Sequence, residues 1–341
     1  MKNFLFILIK IKKIHTPQNS QPLGFSILEL LATIVIAGSA VSLLLYLMVE
    51  GMTYNQQEQG MSQINKDLKQ ALNYISEDAR KAVYIYNGNE LKDRTNSNIQ
   101  VGTQSGLQDF LPNFGTNVRP ILAFWKLEAL SNDVLNSLNC DTSFATNTTK
   151  LNECKAVKVE RRAYTLVVYL QSTDNSSGQW KGESRILRYQ LPKYSDLSTL
   201  TRTGGYVDPV AESSFQGWPV KADGSNLQSG TLPTTTDPLV DFVANPTTVL
   251  DATKVPTCPS NEYVRTPFDD STKTSDDTFS FFACVKTAEN TQGNVFNQDL
   301  IIYLKGSPKG KYDTTKFKNS SMAYIKSQVL SRGVVNKLIS D

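Results

Sequence analysis

Hydrophobic and polar positions divide the chain into three regimes. From Phe25 to Val49 the side chains are apolar almost without interruption, and the only charged one is Glu29. As a helix this run is roughly 37 Å long, enough to cross a bilayer core of about 30 Å. Beyond Glu50 the sequence turns polar, and an apolar stripe then recurs at Ile64, Leu68, Leu72, Ile75, Ala79 and Val83. Its steps of three and four mark one face of a helix. Lys66, Lys69, Glu77, Asp78, Arg80 and Lys81 are read on the other faces, and Gly88 as the C-cap. The pattern predicts one helix over 25–87, lipid-facing in 25–49 and amphipathic in 50–87. No proline occurs between Pro22 and Pro112 to interrupt it.

The third regime, 88–341, reads as strands joined by long polar loops. Runs rich in β-branched and aromatic residues fall at 120–126, 163–170, 184–191, 278–285 and 300–304. Ser320–Asn336 reads as a strand or a short helix. Ser/Thr/Asn/Gly-rich stretches such as Gly224–Pro238 and Asp269–Thr278 lie between. The expected class is α+β: a long N-terminal helix packed on an antiparallel β-sheet head with long loops. Gly204–Pro259 belongs to that head or forms a subdomain of it.

Charge sharpens this division. The 341 residues carry a net charge of +3, with 40% hydrophobic and 20% charged residues, as suits a folded protein. Residues 1–24 hold Lys2, Lys10, Lys12 and Lys13 and no acid; without them the net charge is −1. A general electrostatic grip on nucleic acid is therefore not expected. Positive charge before an apolar helix keeps that end cytoplasmic and sends the rest outward. The four cysteines, Cys140, Cys154, Cys258 and Cys284, then lie in an oxidising compartment. Three pairings are possible. The sequence-local pair Cys140–Cys154 and Cys258–Cys284, each closing a polar loop, is the expected one.

Catalysis finds little to work with. The sole histidine, His15, precedes the apolar run, which removes His-assisted nucleophiles and histidine metal sites from everything after it. No phosphate-binding glycine loop stands out, and neither an enzyme activity, a cofactor nor a metal is expected. Asp269, Asp270, Asp276 and Asp277 read as a solvated acidic turn rather than a calcium loop. Trp125, Trp180 and Trp218 read as core before they read as a sugar-binding face.

Gly24-Phe25-Ser26-Ile27-Leu28-Glu29, after a basic leader and opening the apolar run, resembles the class III signal of type IV prepilins and pseudopilins. The resemblance implies cleavage by prepilin peptidase between Gly24 and Phe25, N-methylation of Phe25, and Glu29 at position five of the mature chain. Glu29 would pair with the Phe25 amine of an adjacent subunit, offsetting a carboxylate that is costly in an apolar fibre core. Its presence also argues against the tip pseudopilin of type II secretion, which typically lacks this acid. The leader departs from the family's usual polar form in its apolar run Phe4–Ile9.

The large head, the Ser76–Val83 and Leu330–Val335 segments and Pro120–Lys126 together resemble minor pilins of the PilW/PilJ kind and cyanobacterial pseudopilins of hormogonium polysaccharide secretion. That implies a single-pass inner-membrane protein with its head in the periplasm, later a tip or priming subunit of a pilus or pseudopilus. The implied partners are other pilins, prepilin peptidase, an inner-membrane platform with a cytoplasmic ATPase, and an exported polysaccharide. The alternative is a membrane-anchored adhesin or glycan-binding protein that does not polymerise.

Overall fold

The structure, a computed structural model, describes residues 26–92, 106–221, 223–246, 255–267, 280–286, 298–311 and 322–331. The chain divides into two compact units, Met1–Gln57 and Glu58–Asp341. Helix α1 (Ile27–Arg80) runs without a break through the described part of the first unit and into the second. It ends earlier than its periodicity predicts. β1 (Ala82–Ile85) follows after one turn residue, so Val83 lies on a strand rather than on the helix. Val83, Tyr84 and Ile85 are β-branched or aromatic, and tertiary pairing with a neighbouring strand overrides a stripe that would have continued at Val83.

Gly88 is likewise not a C-cap. It opens the short helix α2 (Gly88–Leu91), whose N-cap is Asn87. The Asn87 Oδ1 accepts from the Asn89 and Glu90 N–H groups at 3.0 and 3.1 Å, while Glu90 Oε2 accepts from the Asn87 N–H at 2.9 Å. This reciprocal pair satisfies the donors that a helix start leaves open.

The second unit is α+β. β1, β2 (Val118–Ala129), β3 (Arg162–Ser172), β4 (Ser184–Pro192) and β7 (Thr236–Val243) form a five-stranded antiparallel sheet in that order. β8 (Tyr263–Thr266), β9 (Phe281–Lys286), β10 (Asp299–Lys305) and β11 (Tyr324–Leu330) form a four-stranded one, in the order β11-β10-β9-β8. β5 (Tyr194–Asp196) and β6 (Thr201–Arg202) make a small ribbon. α3 (Asn132–Ser137), α4 (Cys140–Ser143) and α5 (Thr148–Glu160) fill the β2–β3 connection. The five strand runs anticipated from the sequence fall within β2, β3, β4, β9 and β10, except that Ser280 precedes β9 and that Thr278 and Phe279 lie outside the described residues. The Ser320–Asn336 stretch contributes the strand β11.

Period-two alternation gives the large sheet two buried faces. On β2, Leu122 and Phe124 join one core while Ala123 and Trp125 join another; on β3, Val167 and Tyr169 go with the first, Leu166 and Val168 with the second. The first core also takes Ile64, Leu68, Leu72, Ile75 and Ala79 of α1, together with Phe281, Ala283, Leu300, Ile302 and Leu304 of the small sheet. Helix and both sheets therefore share one hydrophobic interior. The second core is closed by the 204–221 stretch, through Tyr206, Val207 and Trp218. β7 begins at the end of the Gly224–Pro238 stretch read as polar, and Pro238 is tolerated there because β7 is an edge strand. The described parts of Gly204–Pro259 are thus built into the head rather than set apart from it.

One charged residue of α1 is buried among these apolar ones. The Asp78 side chain is 8% exposed. Lys126 Nζ of β2 donates to its Oδ1 at 3.1 Å, and Tyr169 Oη of β3 donates to its Oδ2 at 2.9 Å. Arg188 of β4 donates to the same Oδ2 through Nε and Nη2, at 3.0 and 2.8 Å. The sequence places Asp78 on a solvent face. It is in fact three residues from Ile75 and seven from Ala71, which returns it to the buried stripe at helical spacing. Burial opposes its ionisation, but the Arg188 and Lys126 charges and hydrogen bonds outweigh that and hold the carboxyl below the usual range. Burial, then the Asp78 charge, push the Tyr169 hydroxyl up, so it stays a donor.

Removing one partner of such a group strands the others. Asp78→Ala should lower the unfolding free energy of the full chain in detergent by about 3–5 kcal/mol, read by chemical denaturation. Because the folded pKa lies below the unfolded value, the charge contribution is complete above about pH 4 and is lost as pH falls through the folded pKa. The stability gap between the wild type and Asp78→Asn should accordingly shrink below about pH 4. A gap that is constant with pH would contradict the buried ion-pair account.

Candidate functional site: the exposed apolar helix

Every side chain of α1 from Ile27 to Val49 is exposed. Leu28, Ile36, Leu44 and Val49 are 78%, 67%, 65% and 64% exposed, values far from those of a protein core. The stretch is long and apolar enough to cross a membrane by length and composition. Its hydroxyls suit that setting. Thr33 donates to the Leu30 carbonyl at 2.8 Å, Ser39 to the Ile36 carbonyl at 2.9 Å, and Ser42 to the Gly38 carbonyl at 2.8 Å. Each of these three hydroxyls is satisfied within the helix, as a hydrocarbon environment favours. Nothing lies within 4 Å of a Cβ built on Gly38 or Gly51, so these positions offer flat surface for another helix to approach.

Glu29 sits in the first turn of α1. The unsatisfied backbone N–H groups there carry the positive end of the helix dipole, which favours a carboxylate by about 0.3–1 kcal/mol. That term is far smaller than the insertion cost of about 2.5–3.5 kcal/mol for a charge at the centre of a membrane helix. The dipole alone does not compensate a deeply placed carboxylate. Gly24 and Phe25, the proposed processing residues, lie outside the described residues.

Of the helix-packing residues read from the sequence, Ile64, Leu68, Leu72, Ile75 and Ala79 lie together in the shared core, each at most 4% exposed. Val83 instead packs partly buried beside the second core, on the other face of the sheet. Its spacing to Ala79 continues the stripe, but only a strand delivers it to that face.

Cys140–Cys154 and Cys258–Cys284 are disulfides, each with a Cα–Cα distance of 5.7 Å. The first closes a helical segment rather than a polar loop. It joins α4 to α5; the Asn147 side chain, which accepts from the Lys150 N–H at 3.0 Å, caps α5. The second fixes the segment before β8 to the middle of β9, on the outer face of the small sheet. Helix α5 is otherwise polar, and its sequence signals are the Asn147 cap and the short face of Leu151, Cys154 and Val157.

Two of the three tryptophans are interior. Trp125 and Trp218 are fully buried, with ring centroids 5.4 Å apart. Trp125 Nε1 donates to Tyr86 Oη at 3.0 Å and Trp218 Nε1 to the Val207 carbonyl at 2.8 Å. Neither can line a sugar-binding face, and half-buried Trp180 stacks on the Arg185 guanidinium at 4.8 Å. Among the described residues, no group of three or more His, Cys, Asp or Glu is arranged to hold a metal ion. The acidic 269–277 loop lies outside them. Compared with protein-family models, curated proteins and solved structures, the chain matches none.

If the exposed stretch is held by lipid, charges at its centre should release it. Leu44→Lys with Leu45→Lys adds about 5–7 kcal/mol to insertion. Alkaline carbonate extraction of membranes should then move the protein from the pellet to the supernatant. Retention of the double variant in the pellet would contradict a lipid-held helix.

Proposed function

We propose that this chain is a minor pilin or pseudopilin, an α+β head carried on a helix that anchors it in the inner membrane and then packs into a type IV pilus-like fibre. The observation that carries this reading is the composition of α1. One half is apolar on every side and exposed along its whole length, with a lone carboxylate in its first turn, and the other half buries a single stripe. A helix needed only as an anchor has no use for that carboxylate. Processing between Gly24 and Phe25 would create an amine able to neutralise it from a neighbouring subunit.

Lipid and the interior of a helical bundle are about equally apolar. Transfer from one to the other therefore draws on close packing and polar pairing rather than on hydrophobicity. The Glu29–amine pair supplies register, and smooth surface at Gly38 and Gly51 permits close approach. A head of this size suits low copy number at a tip or in a priming complex. Polysaccharide export and motility are the processes such a fibre would serve.

Glu29→Ala tests the assembly role against simple anchoring. In native cells the variant should remain in the membrane with an intact head, while its recovery in sheared fibres falls at least about tenfold, a loss of about 1.4 kcal/mol in subunit selection. Undiminished incorporation would refute the proposed pairing, and absence of the wild-type chain itself from sheared fibres would leave an anchored receptor as the reading.

A further inference from the structure

A cleft of about 1130 Å³ opens in the head between the two sheets. Its floor is the last turn of α1, with Glu77, Arg80 and Lys81. One wall is the end of β11, Gln328 to Leu330; the other is the end of β2, Leu127 to Ala129, with Arg162 at the start of β3. Both walls are strand edges. β11 is terminal in its sheet and pairs only with β10 among the described strands. β1 pairs with β2 no further than Lys126, which leaves the Leu127–Ala129 edge facing the cleft. Leu330, at the mouth, is 66% exposed.

We propose that this cleft takes an extended acidic peptide segment of a partner protein, which adds a strand to the free edge of β11. An edge strand left open is a template for pairing, and backbone hydrogen bonds then supply the affinity. The volume exceeds the range of about 300–1,000 Å³ usual for small-molecule sites, which fits an extended chain better. Charge selects the occupant. Arg80, Lys81 and Arg162 are exposed and have no ion-pair partner among the described residues. Of the two acids, Glu128 is already engaged by Lys126 at 3.2 Å, and only Glu77 is left to oppose three cations. Residues 332–341 of the chain itself are a poorer match, since they carry Arg332 and Lys337 against Asp341 alone.

The test uses the full chain in detergent micelles and fluorescence anisotropy of a short labelled peptide alternating Val and Glu. This peptide should bind at least about tenfold more tightly than its Val/Lys counterpart. Methylating its alternate amide nitrogens, which removes ladder donors without touching the protein, should abolish binding. Arg80→Glu with Arg162→Glu, both at exposed positions, should weaken it about tenfold or more while leaving the denaturation curve in place. Absence of binding, equal binding of the basic peptide, or indifference to N-methylation would each overturn the proposal. So would peptide binding that appears only after removal of 332–341, which assigns the cleft to the chain's own tail. A concentration-dependent dimer abolished by the double charge reversal would assign it to a second copy instead.

Discussion

The architecture of the head turns on a single carboxylate. Asp78 reaches from α1 to three consecutive strands of the large sheet at once, through Lys126 of β2, Tyr169 of β3 and Arg188 of β4. The Lys126 and Arg188 side chains are 7% and 6% exposed, so neither has water as an alternative partner. Apolar contacts fix how deeply a helix sits on a sheet but tolerate sliding and rotation. A directional ion pair at this depth does not, because any other register leaves buried charge unpaired. Asp78 thereby fixes the register in which Ile64, Leu68, Leu72, Ile75 and Ala79 face the sheets.

That register ties two different physical problems to one helix. In the Glu58–Asp341 unit, α1 is a structural element whose apolar stripe is consumed by folding. In the residues before it, the same helix has apolar surface on all sides that the chain itself does not cover. Such a surface must be satisfied by lipid, by other helices, or by each in turn. The proposed assembly uses this alternation: a subunit stable in the bilayer is also ready to enter a bundle, since neither state exposes the helix to water. Close packing and the Glu29 charge then discriminate between the two states, where hydrophobicity cannot.

The long elements were readable in the sequence because their periodicity is sustained. The helix shows its lipid-facing and its amphipathic halves in plain order, and β2, β3, β4, β9 and β10 are dense in β-branched and aromatic residues. What was hidden depends on partners distant in sequence. Asp78 reads as a solvated charge until Lys126 and Arg188 are brought beside it by sheet pairing. Val83 continues a helical stripe that only the pairing of β1 with β2 interrupts. β7 was masked by Pro238 and its polar neighbours, which an edge strand accepts and a central strand would not. Helix α5 offers only a three-residue face, Leu151, Cys154 and Val157, which packs against Leu135, Leu138 and Leu200 and is backed by the Asn147 cap and a disulfide. The cleft beside β11 has no local signature, because two strand ends and a helix end from distant parts of the chain enclose it.

The candidate site was legible in a different way. Glu29 in an otherwise apolar run is conspicuous in the sequence, and the exposure of its surroundings adds the physical reason that it needs a partner. The measurement that bears most directly on the proposal is the intact mass and N-terminal sequence of the protein purified from its native membranes. A chain beginning at Phe25 and heavier by one methyl group is the expected result. A chain that retains residues 1–24 would contradict it, since Glu29 would then have no free amine to meet.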